Sequence, residues 1–258
     1  MRRLLPGIYV CPVFTCCLLF AGSMAGAQEG KDTQKNQIAA LKAEVQTAKW
    51  AQSWWMPRHK QKLAELKSRK GNVDLLFIGD SITHGFEGGG KATWQKYYAK
   101  RNAFNIGYSG DRTEQVIWRL QNGEVEGISP KLAVIMIGTN NTGHRKEKPE
   151  HTAAGIQKII EELQTRLTKT KILLLAIFPR DEKPSGAYRQ INDGVNRIIR
   201  GFANDEKGVY FLDIGNKFLD EQGNLPKEIM PDRLHPNKKG YEIWAEAIEP
   251  TVKKLMGE

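Results

Sequence analysis

The stretch Val73-Asp74-Leu75-Leu76-Phe77-Ile78-Gly79-Asp80-Ser81 decides how the chain is read. Its apolar core is too short for a helix and too continuous for a half-exposed strand, so it predicts a strand buried on both faces that ends in a polar turn. Working outward, the same pattern recurs at residues 103–106, 132–137, 172–177 and 209–212, each run bounded by Gly, Pro or polar turns. Helical patterns fill the intervals at about 92–100, 113–121, 149–168, 188–203 and 238–255, with Pro149 suited to a first helical turn. Buried strands alternating with amphipathic helices predict an α/β fold: a five-stranded, flavodoxin-like parallel sheet covered on both faces.

Upstream of the first strand, residues 58–69 read as a helix with Leu63 and Leu66 facing inward, preceded by Trp50, Trp54 and Trp55. The tryptophans are read as a cap on the core; a carbohydrate-stacking platform is the functional alternative, since a Trp face suits a sugar ring as well as a core gap. Residues 28–49 are polar and read as a tether with a surface helix, which places the folded domain at 50–258. Residues 1–27 combine Arg2 and Arg3, an interrupted apolar run and Ala25-Gly26-Ala27, the layout of a cleavable secretory signal peptide. The expected location is therefore secreted or periplasmic, without stable membrane insertion, because the run falls short of the roughly 20 residues a spanning helix needs.

All 3 cysteines, Cys11, Cys16 and Cys17, lie within that leader, so the mature chain has neither disulfides nor a cysteine nucleophile. The net charge of +10 becomes +8 once Arg2 and Arg3 are removed. Lys and Arg are scattered among Asp and Glu rather than clustered with aromatics, which argues against a nucleic-acid partner. No two histidines stand at ligand spacing with carboxylates, so no metal is expected.

In an open parallel sheet, ligands bind beyond the carboxyl ends of the strands. The residues there are Gly79-Asp80-Ser81, Gly107-Tyr108-Ser109-Gly110-Asp111 and Gly138-Thr139-Asn140-Asn141, and the loop before the last helix holds Asp232-Arg233-Leu234-His235. Together they supply the parts of serine acyl transfer. The Ser81 hydroxyl needs an imidazole to take its proton and a carboxylate to hold that imidazole, and His235 and Asp232 fit. A tetrahedral oxyanion needs donors already in place, each worth about 3 kcal/mol; the Ser81 N–H, the Gly110 N–H and the Asn140 side-chain amide are the candidates.

These four blocks, Gly79-Asp80-Ser81, Gly110, Gly138-Thr139-Asn140 and Asp232-x-x-His235, resemble in order those of the SGNH (GDSL-like) hydrolases. Asn122-Gly123-Glu124 and Phe178-Pro179-Arg180 are similar to the catalytic-subunit type of platelet-activating factor acetylhydrolase. The resemblance spans about residues 50–256. It implies a three-layer α/β/α sandwich, ester hydrolysis through an acyl-enzyme, no cofactor and no metal, and it leaves a homodimer open. Tyr108-Ser109-Gly110 departs from the small-residue pattern of the acetylhydrolase type, so the acyl pocket does not carry over.

The expected substrate is a short acyl ester, acetyl above all, on a decorated carbohydrate. A phospholipid or lysophospholipid ester and a non-catalytic glycan-binding role are the alternatives. His84 is a rival base to His235 with an expected substrate-contact or surface role, and His59, His144 and His151 are expected at the surface. Asp80 and Asp111 are read as turn-setting, Arg112 and Arg180 either as contacts for an acidic substrate group or as ion-pair partners of Asp111 or Glu114, and Gly88-Gly89-Gly90 as a mobile rim loop.

Overall fold

Residues 38–258 are described by the computed structural model; the leader and residues 28–37 of the expected tether lie outside them. Five strands form one sheet: β1 (Leu75–Gly79), β2 (Ala103–Gly107), β3 (Leu132–Met136), β4 (Lys171–Leu175) and β5 (Val209–Leu212). All pairs are parallel, in the order β2-β1-β3-β4-β5. That is the flavodoxin-like order, whose switch point lies between β1 and β3. The helices are α1 (Trp55–Arg69), α2 (Ser81–His84), α3 (Lys91–Tyr97), α4 (Thr113–Gln121), α5 (Thr139–Arg145), α6 (Pro149–Arg166), α7 (Ala187–Ile199) and α8 (Lys238–Met256).

Side chains alternate across a strand, so the uniformly apolar strand sequences feed two separate cores. Leu76, Ile78, Phe104, Ile106, Ala133 and Ile135 pack with α1, α4, α6 and α7, while Leu75, Phe77, Val134, Met136, Leu173 and Leu175 pack with α3 and α8. Phe77 lies within 6.4 Å, centroid to centroid, of Phe86, Trp94, Tyr98 and Trp244. Phe77→Ala would empty the centre of that cluster at a cost of about 3–5 kcal/mol.

One expectation changes. Residues 38–49 are docked rather than a tether, and the compact unit begins at Ile38 instead of residue 50. A short 3-10 turn, Ala39–Leu41, buries Ala40, whose carbonyl accepts from Thr113 Oγ1 at 2.9 Å at the start of α4. Ala43 and Val45 then pack on the α1/α4/α6 side of the core. Where a surface helix is expected, the described residues form the 3-10 turn at Ala39–Leu41 followed by irregular chain. Gly88-Gly89-Gly90 is a closed turn, with the Gly90 N–H donating to Gly85 O at 2.9 Å. A Cβ at Gly90 would come within 2.7 Å of the Tyr241 ring, so the glycine there serves close packing.

Candidate active site

The carboxyl ends of β1, β2 and β3 and the loop before α8 supply the candidate residues. Asp80 follows β1 and caps α2 by accepting the Ile82 N–H at 3.0 Å. The cap turns the chain sharply enough to lift Ser81 to the first helical position, where its N–H has no preceding turn to bond. Asp80 is fully buried, and burial pushes its carboxyl up to about 6, opposed in part by the Ile82 N–H.

Ser81 Oγ lies 2.9 Å from His235 Nε2, and His235 Nδ1 lies 2.6 Å from Asp232 Oδ2. A carboxylate only accepts, so Nδ1 carries the proton and Nε2 is left to accept from the Ser81 hydroxyl. Asp232 Oδ1 also accepts the N–H groups of Leu234 (3.1 Å) and His235 (2.7 Å), so one residue fixes both the turn and the imidazole. Burial would raise the Asp232 carboxyl, but the His235 side-chain and backbone N–H groups hold it below its usual value. Arg233 adopts a left-handed backbone (φ 60°) between them. Its guanidinium donates to Leu225 O and pairs with Glu182 at 3.2 Å, tying the turn down. The Tyr241 hydroxyl of α8 donates to Ile82 O at 2.8 Å and so joins the helix after this loop to the helix that carries Ser81.

Gly110, at φ +76°, occupies the backbone region that glycine tolerates. Asn140, on α5 after β3, donates one amide hydrogen to Asp111 O at 3.0 Å, which leaves the second for an oxyanion. Thus the structure gathers all five residues singled out in the sequence: Ser81, Asp232 and His235 in a hydrogen-bonded chain, and Gly110 and Asn140 on the adjoining loops.

The sequence did not reveal what holds those loops. Behind residues 107–111 lies a buried polar cluster: Arg119 Nε pairs with Asp111 Oδ2 at 2.9 Å, Trp55 Nε1 donates to Asp111 Oδ1 at 2.6 Å, and Arg119 Nη1 donates to Ile106 O at 3.1 Å. Glu124 accepts from both Arg119 and the Tyr108 hydroxyl, and lies 3.0 Å from His59 Nδ1. Burial pushes Asp111 up to about 7 against the pull of Arg119, whereas Glu124, with three donors around it, is held below its usual range despite burial. Arg58 donates to Gly107 O at 2.9 and 3.1 Å and forms a two-pronged pair with Glu87 at 2.8 Å.

His59 is therefore not a surface residue; it is 4% exposed. The signal was available, because His59 stands four and seven residues before Leu63 and Leu66 and shares the inward face of α1 with Leu66. His84 bonds Ser109 Oγ through Nδ1 at 3.0 Å, away from Ser81, and burial with the Arg58 charge holds it near 4. It is neutral at ordinary pH and braces the Gly110 loop. His144 is exposed, as expected. Arg112 pairs with Glu114 at 2.5 Å, whereas Arg180 donates to Thr139 O at 2.9 Å and lies 4.6 Å from the Tyr188 ring centre. The tryptophans divide: Trp55 is buried in the core, while Trp50 is 51% exposed beside Gly110.

The pattern of the GDSL-like lipase/acylhydrolase family matches residues 77–243. Among curated relatives, the platelet-activating factor acetylhydrolase IB subunit alpha2 of Rattus norvegicus is 33% identical over 204 residues, covering 79% of this chain and 86% of that protein. Subunit alpha1 of Homo sapiens is 31% identical over 207 residues, covering 79% and 85%. Among solved structures, a GDSL-like lipase of Bacteroides thetaiotaomicron superposes with a TM-score of 0.60 at 24% identity, covering 77% of this chain and 97% of that one. An acetylxylan esterase of Geobacillus stearothermophilus gives 0.57 at 22% identity, covering 73% and 97%. These two likenesses speak to the fold, and the α/β sandwich is that of the SGNH hydrolases. By sequence and by fold, the chain belongs to the GDSL-like lipase/acylhydrolase family.

Proposed function

We propose that the protein is a serine esterase that removes short acyl groups, acetyl above all, from a carbohydrate alcohol outside the cytoplasm. Ser81 Oγ attacks the acyl carbonyl while His235 Nε2 takes its proton, and Asp232 stabilises the imidazolium. The negative charge on the carbonyl oxygen meets the N–H groups of Ser81 and Gly110 and the free hydrogen of the Asn140 amide. Collapse of the tetrahedral species expels the alkoxide, which leaves as the alcohol with the proton from His235. Water, deprotonated by the same imidazole, then releases the acid and restores Ser81.

The observation that carries the reading is the unbroken chain from Ser81 Oγ to His235 to Asp232, at 2.9 and 2.6 Å. The acyl part is supported by relatives named acetylhydrolases and by a structural neighbour named an acetylxylan esterase. The signal-like leader supports an exported, polymeric or oligomeric substrate. A second reading, a phospholipid acetyl ester, is favoured by the names of the relatives at 33% and 31% identity. The test is hydrolysis of acetylated xylo-oligosaccharides against short-chain phospholipid esters, with p-nitrophenyl esters from acetyl to octanoyl. The proposal expects oligosaccharide deacetylation and a rate that falls with chain length; preference for the phospholipid, or for octanoyl, would replace it.

A further inference from the structure

Trp50 and Trp54 lie outside the part of the chain that the family pattern covers, yet they stand at the site. The edge of the Trp50 indole fills the space beside Gly110: a Cβ built there would be 2.0 Å from Trp50 Cη2. Trp54 stacks on Trp50 with centroids 6.2 Å apart and planes 27° apart, and its other neighbour is His84, at 6.1 Å, the residue that bonds Ser109. His144 stands edge-on to Trp50 at 6.5 Å.

The pair is fixed rather than loosely splayed. Gln46 Nε2 donates to Gly110 O at 3.3 Å, the Ala48 N–H donates to Gln46 Oε1 at 3.2 Å, and Trp54 Nε1 donates to Trp50 O at 3.2 Å. The docked strap thus delivers two aromatic rings to the loop that carries the second oxyanion donor. Trp50 is also the one large apolar side chain left exposed among the described residues, although Trp55, five positions on, is 1% exposed. Packing beside Gly110 and on Trp54 covers only part of the Trp50 indole, and about half of the residue stays in water, where its apolar surface is unfavourable.

We infer that Trp50, backed by Trp54, is a stacking subsite for a pyranose ring of the alcohol part of the substrate. The inference rests on the esterase reading above and adds the residues that select the alcohol. A flat aromatic face with hydrogen-bonding groups at its rim, here His144 and Arg112, suits a ring that is apolar on one face and hydroxylated at its edge. The Arg112 guanidinium lies 3.2 Å from His144 Nδ1, on that rim. An alkyl chain would need a continuous apolar groove, and a lone exposed indole does not make one.

The test separates binding from turnover. Ser81→Ala is titrated with xylotetraose, mannotetraose and cellotetraose while tryptophan fluorescence is followed, and the titrations are repeated on Ser81→Ala/Trp50→Ala and Ser81→Ala/Trp50→Tyr. The expected result is saturable binding of at least one tetrasaccharide, weakened at least tenfold by Trp50→Ala and within threefold of the parent in Trp50→Tyr, which keeps a stacking face. In the active protein, kcat/KM for the acetylated form of that sugar should fall at least tenfold more than kcat/KM for p-nitrophenyl acetate. No binding of any of the three, or equal binding with and without Trp50, overturns the subsite even if the esterase is active. Binding that depends on Trp50 in a protein without esterase activity would sustain the subsite and overturn the reaction instead.

Discussion

Asp111 and Asp232 both lie on loops that shape the site, and they are held by opposite means. Asp111 is fully buried, bonded by Trp55 and Arg119, and surrounded by further buried charges. Asp232 has a side chain 55% exposed, pairs with a His235 side chain 43% exposed, and owes its orientation to its own turn. The first arrangement fixes donors where charge develops, which works best when nothing has to reorganise. The second leaves the imidazole and its carboxylate partner accessible to water, which on the proposed mechanism helps solvate the imidazolium. On the proposed esterase mechanism, the contrast sets the oxyanion donors on loops backed by buried charges and the acid–base pair on a solvent-accessible turn.

The contrast can be broken from either side, and Asp232→Asn should have the largest effect. The amide still caps the turn through its oxygen, but it cannot stabilise the imidazolium, so kcat should fall by about 10³–10⁴-fold while the melting temperature moves little. A drop of less than tenfold would mean that the exposed pair is not the acid–base arm.

Arg119→Met, on the buried side, should do the reverse. It leaves Asp111 and Glu124 without their cation and should cost about 3–5 kcal/mol in urea unfolding. A loss below 1 kcal/mol would show that the cluster is not what holds residues 107–111.

Asp80 gives a third test through pH. Its carboxyl is raised to about 6 in the folded chain against an ordinary 3.8, so the folded state binds the extra proton between those values. The associated stability is present below about pH 4 and lost as pH rises through 6, an effect on the order of 2–3 kcal/mol. Asp80→Asn, which cannot ionise, should therefore gain on the wild type between pH 4 and 8; thermal melts across that range check it, and a gap independent of pH would refute it.

Glu87→Gln should have the smallest effect. Burial would raise Glu87, but Arg58 and Lys62 hold it at about 2, so its contribution is present above about pH 4.5 and fades as pH falls. With its side chain 37% exposed, at most about 1 kcal/mol is expected. The gap to wild type should narrow from pH 6 to pH 3.

The same division explains what could be read in the sequence. Strand interiors and the four site blocks were legible because apolar runs and turn residues are local signals. The helix α4 was placed at Thr113–Gln121, and β5 at Val209–Leu212, as the periodicity indicated. The short helix α5 was missed, since its residues Thr139–Arg145 carry no apolar period. The buried charges were illegible for a different reason. Asp111, Arg119 and Glu124 neutralise one another only once the fold brings them together, and a charge that finds its partner only in the fold looks like a surface charge beforehand. Residues 38–49 misled in the same way, because a strap bonded to α4 looks like a polar linker until its partner is placed.

The central claim is that Ser81 is the nucleophile activated by His235, and covalent labelling tests it most directly. A fluorophosphonate probe followed by peptide mass spectrometry should place one adduct on Ser81 in the folded protein, slow labelling by at least 10³-fold in His235→Ala, and leave Ser81→Ala unmodified. An adduct at another residue, or labelling of Ser81 that does not depend on His235, would contradict the account.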